Sequence, residues 1–319
     1  MSFKEIKTFY KQRKQCASLP NVRFYNFWDS ADYSNIWLYQ FLEKQGLLNN
    51  QKKKIAFFSV FGSRKFVKWD RSDVKIFYTG ENVTPDGLHP AYHDHLLDSV
   101  SLSLGFEYLP NTNYLRFPLW ILYYIKPNAT LQDIKDTFRK LSEIPTKSSL
   151  DQRTFCALVS RHDKGNVRKK IYELLNGVGQ IDCGGAFLNN TDRLISEFND
   201  NKIDFLKQYK FNICPENTDT NGYVTEKIFE SINGGCIPIY WGAHNCPEPE
   251  VLNQDSILFW NKDSATQQKL LSDVKLLFNS TSDYMDFISQ PKFMPCAAEY
   301  TEAILADLRR SIHELLKNH

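Results

Sequence analysis

The sequence lacks any closely spaced pair of cysteines. Its seven cysteines fall outside every CxxC spacing, and their number is odd. Structural zinc sites and disulfide frameworks depend on paired, regularly spaced cysteines. The pattern therefore favours reduced and mostly buried thiols over a cysteine scaffold.

A long hydrophobic run is also missing. The longest apolar stretch, FPLWILYYI at residues 117–125, is too short to span a bilayer. The first residues, MSFKEIKTFYKQRKQC, are basic but contain no apolar core of the kind found in secretory signal peptides. We therefore expect a cytoplasmic protein without a transmembrane segment. Peripheral contact with a membrane, or origin as a domain trimmed of an anchor, stays open.

An excess of one charge is absent as well. The 39 Lys and Arg residues nearly balance the 37 Asp and Glu residues, which leaves a formal charge of +2. Such a balance gives no field that would favour nucleic acid as a partner. The content of 42% hydrophobic and 14% aromatic residues is that of a globular protein, and 319 residues suffice for two domains.

Short apolar runs alternate with helical patterns along the chain. The pattern predicts a helix at residues 166–179, NVRKKIYELLNGVG, which Gly177 ends. The predicted buried strands are KIAFFSVFG (54–62), VKIFYTGEN (74–82), TFCALVS (154–160), IDCGG (181–185) and KFNICPEN (210–217). This βαβα order predicts an α/β protein with Rossmann-like parallel sheets.

The polar segment PTKSSL at residues 145–150 is typical of an interdomain linker. We therefore predict one domain at 1–150, a second at 151–300 and an amphipathic helix at 301–319. One face of this last helix is apolar, which favours packing on a domain over lying on a membrane: Ile304, Leu305, Leu308, Ile312, Leu315 and Leu316. Two Rossmann-like halves would form a cleft at the carboxyl ends of their strands, where ligands of α/β sheets bind.

The stretch NGYVTEKIFESINGGCIPIYWG (221–242) predicts a helix followed by a buried strand, with Gly234 and Gly235 as the break. Its apolar residues share one helical face by their spacing: Val224, Ile228, Phe229 and Ile232. Glu226 and Lys227 then project from the first turn, beside unpaired N–H groups that suit a phosphate or diphosphate. Lys227 would bind phosphate oxygens, and Glu226 would accept hydrogen bonds from sugar hydroxyls. This combination favours a nucleotide as the ligand. A dipole-matched glutamate and a solvated lysine on a surface helix remain the alternative.

The wider stretch FNICPENTDTNGYVTEKIFESINGGCIPIYWG resembles the signature of glycosyltransferase family 10, the inverting α-1,3/4-fucosyltransferases. The matching positions are Phe211, Glu216, Asn217, 223–227, Pro238 and Gly242. FYTGEN (77–82), followed by NYLRFPLW (113–120), resembles the soluble bacterial-type members of the family. A third, shorter match consists of Arg168 in VRKKIYELLN and Gly184-Gly185 in IDCGG. Together the matches cover most of residues 74–245.

The resemblance implies a GT-B fold, with two Rossmann-like domains facing across a cleft. The N-terminal domain would bind the acceptor and the C-terminal domain GDP-fucose. The implied general base is Glu81. The implied donor-binding residues are Arg168 and Lys227 at the diphosphate, Glu226 at the ribose, and Asn217 and Tyr223 lining the pocket, with Asn82, Gly184, Gly185 and Thr225 in supporting positions.

The implied activity is transfer of L-fucose from GDP-fucose, with inversion, to a glycan hydroxyl. The expected acceptor position is O3 of GlcNAc or glucose in an N-acetyllactosamine-type glycan, as in Lewis antigen synthesis. The alternatives are a GT-B transferase that uses another GDP-sugar and a non-catalytic relative that binds a sugar or nucleotide. The resemblance leaves the acceptor, the choice between 3- and 4-linkage and the oligomeric state open. An anchor-trimmed domain of a Golgi-type enzyme is the alternative to a cytoplasmic one.

No metal or other cofactor is expected. The sequence has no D-x-D triplet, the usual metal–diphosphate anchor of the other main glycosyltransferase fold. His89, His93 and His95 lack a metal-binding frame and are interpreted as incidental residues of a polar loop, although one of them or Asp94 could contact the acceptor. Trp28, Trp37 and Trp69 could stack on sugar rings, but core packing is the favoured interpretation.

Two positions depart from the family pattern. Arg161 lies in SRHDKGNVR where the family has an asparagine, and Cys214-Pro215 replaces an apolar–aromatic pair before Glu216. Both departures fall on the donor side of the implied site. They leave donor-binding details, rather than the reaction class, open.

Overall fold

The computed structural model describes residues 3–28, 32–49 and 51–317 of the chain. The chain forms two compact units. The first comprises Met1–Ile134 together with Thr301–His319, and the second comprises Lys135–Tyr300. The chain passes from the first unit to the second between residues 134 and 135, whereas the linker pattern predicted a boundary at 150. It returns to the first unit between residues 300 and 301. Each unit is an α/β structure with its own sheet.

The first unit contains a five-stranded sheet in the order β1-β2-β3-β4-β5, and every neighbouring pair is parallel. Its second strand, IAFF, is apolar and buried at all four positions, which is typical of strands in a parallel sheet. The strands are β1 Val22–Tyr25, β2 Ile55–Phe58, β3 Val74–Tyr78, β4 Leu102–Gly105 and β5 Tyr114–Arg116.

The second unit also contains a five-stranded parallel sheet, in which the strand order is β10-β9-β8-β6-β7. The strands are β6 Thr154–Leu158, β7 Ile181–Cys183, β8 Tyr209–Ile213, β9 Ile237–Tyr240 and β10 Leu258–Phe259. The order reverses at β6, so that β7 lies on one side of it and β8 on the other. Ligands of open α/β sheets bind at such a switch point, outside the carboxyl ends of the strands.

The α-helices alternate with these strands along the chain. They are α1 Phe3–Gln15, α2 Trp37–Lys44, α3 Lys65–Trp69, α4 Trp120–Tyr124, α5 Leu131–Leu141, α6 Lys147–Asp151, α7 Val167–Leu175, α8 Arg193–Ser196, α9 Lys202–Leu206, α10 Glu226–Asn233, α11 Ser264–Asn279, α12 Thr281–Ile288 and α13 Ala297–Lys317. No described helix combines the length and the apolar composition that crossing a bilayer requires.

Most of the sequence patterns correspond to these elements. The predicted strands contain β2, β3, β6 and β7 and all of β8 except its first residue, Tyr209, and the pattern at 166–179 contains α7. PTKSSL, however, includes the first four residues of α6, whose N-cap Thr146 accepts a hydrogen bond from Ser149 N. In α13, Ile304, Leu305, Leu308 and Ile312 are buried, and Lys53 Nζ donates to Leu315 O at 3.0 Å. The final two residues of the predicted C-terminal helix, 318 and 319, lie outside the described residues.

The turn between α10 and β9 is held by a buried arginine. Gly234 caps α10, and Gly235 adopts a positive φ of 65°, which a side chain would disfavour. Arg153 donates from Nη2 to Gly234 O and from Nη1 to Tyr209 O, each at 3.0 Å, and also to Gly235 O. One guanidinium therefore ties the start of β8 to this turn.

We expect Arg153→Met to lower the free energy of unfolding by about 3 kcal/mol, because it leaves three buried carbonyl groups without their charged donor. Urea unfolding measures the change. The matched control is Arg139→Met, which removes an exposed arginine paired with Asp136 on α5 and should change stability by less than about 0.5 kcal/mol. Equal effects of the two substitutions would contradict this role.

Candidate functional site

Glu216 lies just beyond the carboxyl end of β8, beside the end of β9. The pairing of the two strands continues past their ends, because Glu216 N donates to Trp241 O at 2.8 Å. Gly242 then passes so close to Glu216 that an added Cβ would stand 2.9 Å from Glu216 Cβ, and its φ is 136°. The Glu216 side chain is consequently buried, with the residue only 1% exposed.

The buried carboxylate of Glu216 binds the first residues of α10. Glu216 Oε1 accepts a hydrogen bond from Thr225 N at 2.8 Å, and Glu216 Oε2 lies 3.1 Å from Lys227 Nζ. The Thr225 hydroxyl lies within 3.0 Å of both carboxylate oxygens and accepts from Lys227 Nζ at 2.8 Å. Thr225 is the N-cap residue of α10. The start of the helix is therefore fastened to the end of β8 by a charge-assisted network.

Lys227 lies between two carboxylates. Its Nζ is 3.6 Å from Glu226 Oε1 as well as bonded to Glu216. Burial alone would lower the pKa of Lys227, but Glu216 and Glu226 outweigh it and raise the pKa well above its usual value. Burial would likewise raise the pKa of Glu226, yet the Lys227 ammonium and donors at the helix start hold it below its usual value. Both side chains therefore remain charged at neutral pH.

Arg168, in the first turn of α7, reaches the loop after β8. Its Nη2 donates to Pro215 O at 2.9 Å and to Asn217 Oδ1 at 3.1 Å. Its Nη1 lies 3.9 Å from Asp163 Oδ1, and the Asp163 carboxylate also accepts from Arg168 N and Lys169 N. Burial lowers the pKa of Arg168, and the charges of Glu216 and Asp163 oppose that change. The guanidinium is thus fixed beside Asn217.

A cavity of about 750 Å³ in the second unit brings most of these residues together. It is lined by Val159, Ser160, Arg161, His162, Arg168, Gly184, Gly185, Ala186, Asn189, Leu194, Ile195, Asp200, Lys202, Asn217, Glu226 and Lys227. Gly185 has a steric role here, because an added Cβ would stand 2.2 Å from Ser160 O. Six of the predicted donor-side residues therefore line one cavity: Arg168, Gly184, Gly185, Asn217, Glu226 and Lys227.

Two other predicted donor-side residues do not line this cavity. Tyr223 and Thr225 are each only 2% exposed. The Tyr223 N–H donates to Thr220 O, and the preceding Gly222 has a φ of 75°. Thr225 faces Glu216 instead of the cavity. The role of Tyr223 in the donor pocket stays a prediction, while Thr225 binds the carboxylate that holds Lys227.

Glu81 and Asn82 lie in the first unit, in the turn after β3. The Thr79 hydroxyl accepts from Glu81 N at 3.1 Å and donates to Glu81 O at 2.8 Å, which fixes the backbone at Glu81. The Glu81 side chain is half-buried. Asn82 is buried, and its Oδ1 accepts from both the N–H and the hydroxyl of Thr84. Asn82 therefore shapes the turn that presents Glu81.

The histidines near this turn have separate surroundings. The His89 ring packs edge-on against Phe61, and His93 Nδ1 lies 3.0 Å from Pro90 O. His95 is buried against Glu107. Asp94, the other residue considered for acceptor contact, pairs with Arg64. Within the described ranges, no group of three His, Cys, Asp or Glu side chains is arranged to hold a metal ion.

The three tryptophans considered for sugar stacking differ in exposure. Trp37 stacks on Phe41, and Trp69 packs against Phe9 and Phe66. Trp28 is 38% exposed and contacts Tyr78, the last residue of β3. Trp37 and Trp69 thus pack against neighbouring aromatic rings, whereas Trp28 lies at the surface near the Glu81 turn.

Sequence reasoning missed the role of Glu216. Glu216 matches the family signature, but the signature alone assigned it no function. Its signal was its place near the carboxyl end of the predicted strand at 210–217, because side chains at the carboxyl end of a parallel strand reach a ligand site. The cavity-lining residues Lys202, His162 and Asn189 carried no comparable signal, because they come from three separate loops and helices.

Two family profiles match the chain. The profile described as the alpha-(1,3)-fucosyltransferase FucT N-terminal domain matches residues 22–123. The profile described as the glycosyltransferase family 10 (fucosyltransferase) C-terminal region matches residues 148–304. The two matches together take in most of the chain.

Relatives with different linkages and acceptors are similar to it. An alpha-(1,3)-fucosyltransferase from Helicobacter pylori is 26% identical over 82% of this chain and 58% of its own length. An alpha-(1,4)-fucosyltransferase from Arabidopsis thaliana is 26% identical over 52% of this chain and 39% of its own. A GDP-fucose protein O-fucosyltransferase 3 from Xenopus tropicalis is 25% identical over 58% of this chain and 44% of its own. The chain thus spans less than two thirds of each of these relatives.

Solved structures share the fold. A crystal structure of an alpha1,3-fucosyltransferase with GDP-fucose superimposes with a TM-score of 0.62 at 23% identity, over 93% of this chain and 90% of that one. A crystal structure with GDP gives a TM-score of 0.61 at 23% identity, over 93% and 92%. The two parallel α/β sheets are therefore those of a GT-B fold, as predicted. On these matches the chain belongs to glycosyltransferase family 10, the fucosyltransferases.

Proposed function

We propose that this protein transfers L-fucose from GDP-fucose to a hydroxyl group of a glycan acceptor, with inversion at the anomeric carbon. The observation that carries the proposal is the cavity at the carboxyl ends of β6, β7 and β8, where Arg168, Lys227 and Glu226 come together. A cation pair beside a carboxylate at a helix start is suited to a diphosphate joined to a ribose.

On the donor side, Lys227 and Arg168 would neutralise the diphosphate while Glu226 accepts hydrogen bonds from the ribose hydroxyls. When the bond between the fucosyl carbon and the β-phosphate oxygen breaks, its electron pair leaves with GDP. Positive groups held in place beforehand stabilise that developing charge without reorganisation. The network around Glu216 fixes Lys227 in advance, and Pro215 and Asn217 do the same for Arg168.

On the acceptor side, Glu81 is the proposed general base. A single displacement with inversion needs one group to take the proton of the attacking hydroxyl as the new C–O bond forms. Glu81 is suited to this because its backbone is fixed by Thr79 while its side chain is only half-buried. We propose O3 of GlcNAc or glucose in an N-acetyllactosamine-type glycan as the acceptor position, by analogy with the alpha-(1,3)-fucosyltransferase from Helicobacter pylori.

We further propose that neither a metal ion nor another cofactor takes part. The two cations Arg168 and Lys227 would supply the charge that a divalent ion supplies to the diphosphate in other glycosyltransferases. The carboxylates nearest to them, Glu216 and Asp163, are already bonded to donors of the protein.

We expect transfer from GDP-fucose to N-acetyllactosamine at the same rate in excess EDTA as in its absence, because cations of the chain would replace a metal. Chromatography of the glycan products measures the rate, with lactose and a type 1 chain as further acceptors. GDP-mannose is the control donor and should give at most a small fraction of that rate. Transfer from GDP-mannose alone would overturn the donor assignment, and loss of activity in EDTA that Mn²⁺ restores would overturn metal independence.

Glu81→Gln should lower kcat by about 10²- to 10⁴-fold while leaving the dissociation constant of GDP-fucose unchanged. The amide keeps the shape of the side chain but cannot accept the proton of the acceptor hydroxyl. Steady-state kinetics and calorimetry give the two quantities. Glu43→Gln, at an exposed position of α2, is the matched control. An undiminished kcat in Glu81→Gln would remove Glu81 from the reaction.

Lys227→Met should weaken GDP binding by roughly tenfold to a hundredfold, because it removes a charged donor from the diphosphate site. It also leaves Glu216 without its cation, so the double variant Glu216→Gln/Lys227→Met, which removes the buried Glu216 charge together with Lys227, is measured beside it. Lys269→Met, which removes an exposed lysine of α11, is the control. Calorimetry showing the same GDP affinity in the folded double variant as in the unaltered chain would exclude Lys227 from the donor site.

A further inference from the structure

The cations on the cavity wall differ in whether the protein already satisfies them. Lys227 is bonded to Glu216 and close to Glu226, and Lys202 pairs with Glu230. Arg168 is bonded to Pro215 and Asn217 and lies near Asp163. Each of these groups would have to share or give up a partner in order to bind an anion.

Arg161 is the exception among the described residues that line the cavity. Its side chain is exposed, and within the described part of the chain its guanidinium has no hydrogen bond or ion pair. The neighbouring His162 neither neutralises the positive charge of Arg161 nor adds a second positive charge. Partial burial, followed by the positive charges of Arg168 and Lys164, lowers the pKa of His162, so its ring is largely neutral at pH 7.

The backbone on both sides of Arg161 is fixed although the side chain is not. The Ser160 hydroxyl donates to His162 O at 2.8 Å and accepts from His162 N, which closes a turn around Arg161. Ser160 O accepts from Phe187 N at 2.9 Å, and Gly185 packs directly against Ser160 O. The backbone at Arg161 is therefore held in the cavity lining, next to the predicted glycine pair at 184–185.

Asp200 is an acidic residue of the cavity lining, so its charge is opposite in sign to that of Arg161. No ion pair joins its carboxylate to Arg161 or to another cation within the described residues. An anionic group that enters the cavity is therefore attracted to Arg161 and repelled by Asp200. Because Arg161, Arg168 and Lys227 all belong to the cavity lining, the cavity offers phosphate groups three cations.

We propose that Arg161 binds the diphosphate of the nucleotide donor. The inference rests on the proposed function, and it assigns a role to the position at which this chain departs from the asparagine of the family pattern. An arginine without a partner gives up no existing bond when it meets a phosphate, and its planar group can donate two parallel hydrogen bonds. The chain thus has a third cation for the diphosphate where the family pattern supplies a neutral amide.

The test compares GDP with guanosine, which carries the same base and sugar without a charge. We expect Arg161→Gln to weaken GDP binding by about tenfold, a typical effect of one charged donor, and to leave guanosine binding unchanged. Calorimetry at low and high ionic strength should also show a smaller salt dependence of GDP affinity in the variant. Arg161→Lys should retain part of the affinity because it keeps the charge.

Lys164→Gln is the matched control, because it removes an exposed cation in the same loop that does not line the cavity. Thermal unfolding checks that the variants are folded. GDP affinity of Arg161→Gln equal to that of the unaltered chain would overturn the role of Arg161 while the donor site stands. A parallel loss of guanosine binding would also overturn it, because the effect would then not depend on phosphate. Failure of the unaltered chain to bind GDP would instead overturn the proposed donor site itself.

Discussion

The donor side of this protein depends on one buried carboxylate. Glu216 emerges from β8 into a position that Gly242 leaves open and where water does not reach it. A buried charge is tolerated only when donors satisfy it, and removing one partner of such a pair costs about 3–5 kcal/mol. Thr225 and Lys227 are those donors. Because both lie at the start of α10, their hydrogen bonds to Glu216 fix the position of the first turn of that helix.

This arrangement also explains why a lysine can be a rigid part of the site. A lysine side chain normally loses conformational freedom when it binds a ligand, and that loss weakens binding. Lys227 is already held by Glu216 and Thr225, so the loss has occurred during folding. The same holds for Arg168, which Pro215 and Asn217 hold. Lys227 and Arg168 are thus preorganised in the cavity lining, as the proposed binding of a diphosphate requires.

Local sequence patterns predicted the structural features that depend only on residues close together in the chain. The spacing of Ile228, Phe229 and Ile232 correctly predicted the buried face of α10, because helix periodicity is a property of neighbouring residues. Val224, predicted on the same face, is buried but precedes the start of the helix. The link from Glu216 to Thr225 and Lys227 could not be read in this way, since it depends on the pairing of β8 with β9, which brings Gly242 against Glu216. The burial of Tyr223 could not be predicted either. Glycine allows the positive φ at Gly222, but the sequence does not require that conformation. Family resemblance supplied six of the sixteen residues that line the cavity, but it treated Arg161 as an anomaly because a pattern records identities and not charge balance.

Two glutamates follow strand ends in the two sheets, and their surroundings assign them different chemistry. Glu216 is enclosed, and each of its oxygens is bonded to a donor of the protein. It therefore serves as an anchor for the start of α10. Glu81 has its backbone fixed by Thr79 while its side chain is only half-buried. A general base must hold its position and still gain and release a proton during each turnover. Of these two carboxylates, only Glu81 combines a fixed backbone with a half-buried side chain, which is why we propose Glu81 and not Glu216 as the general base.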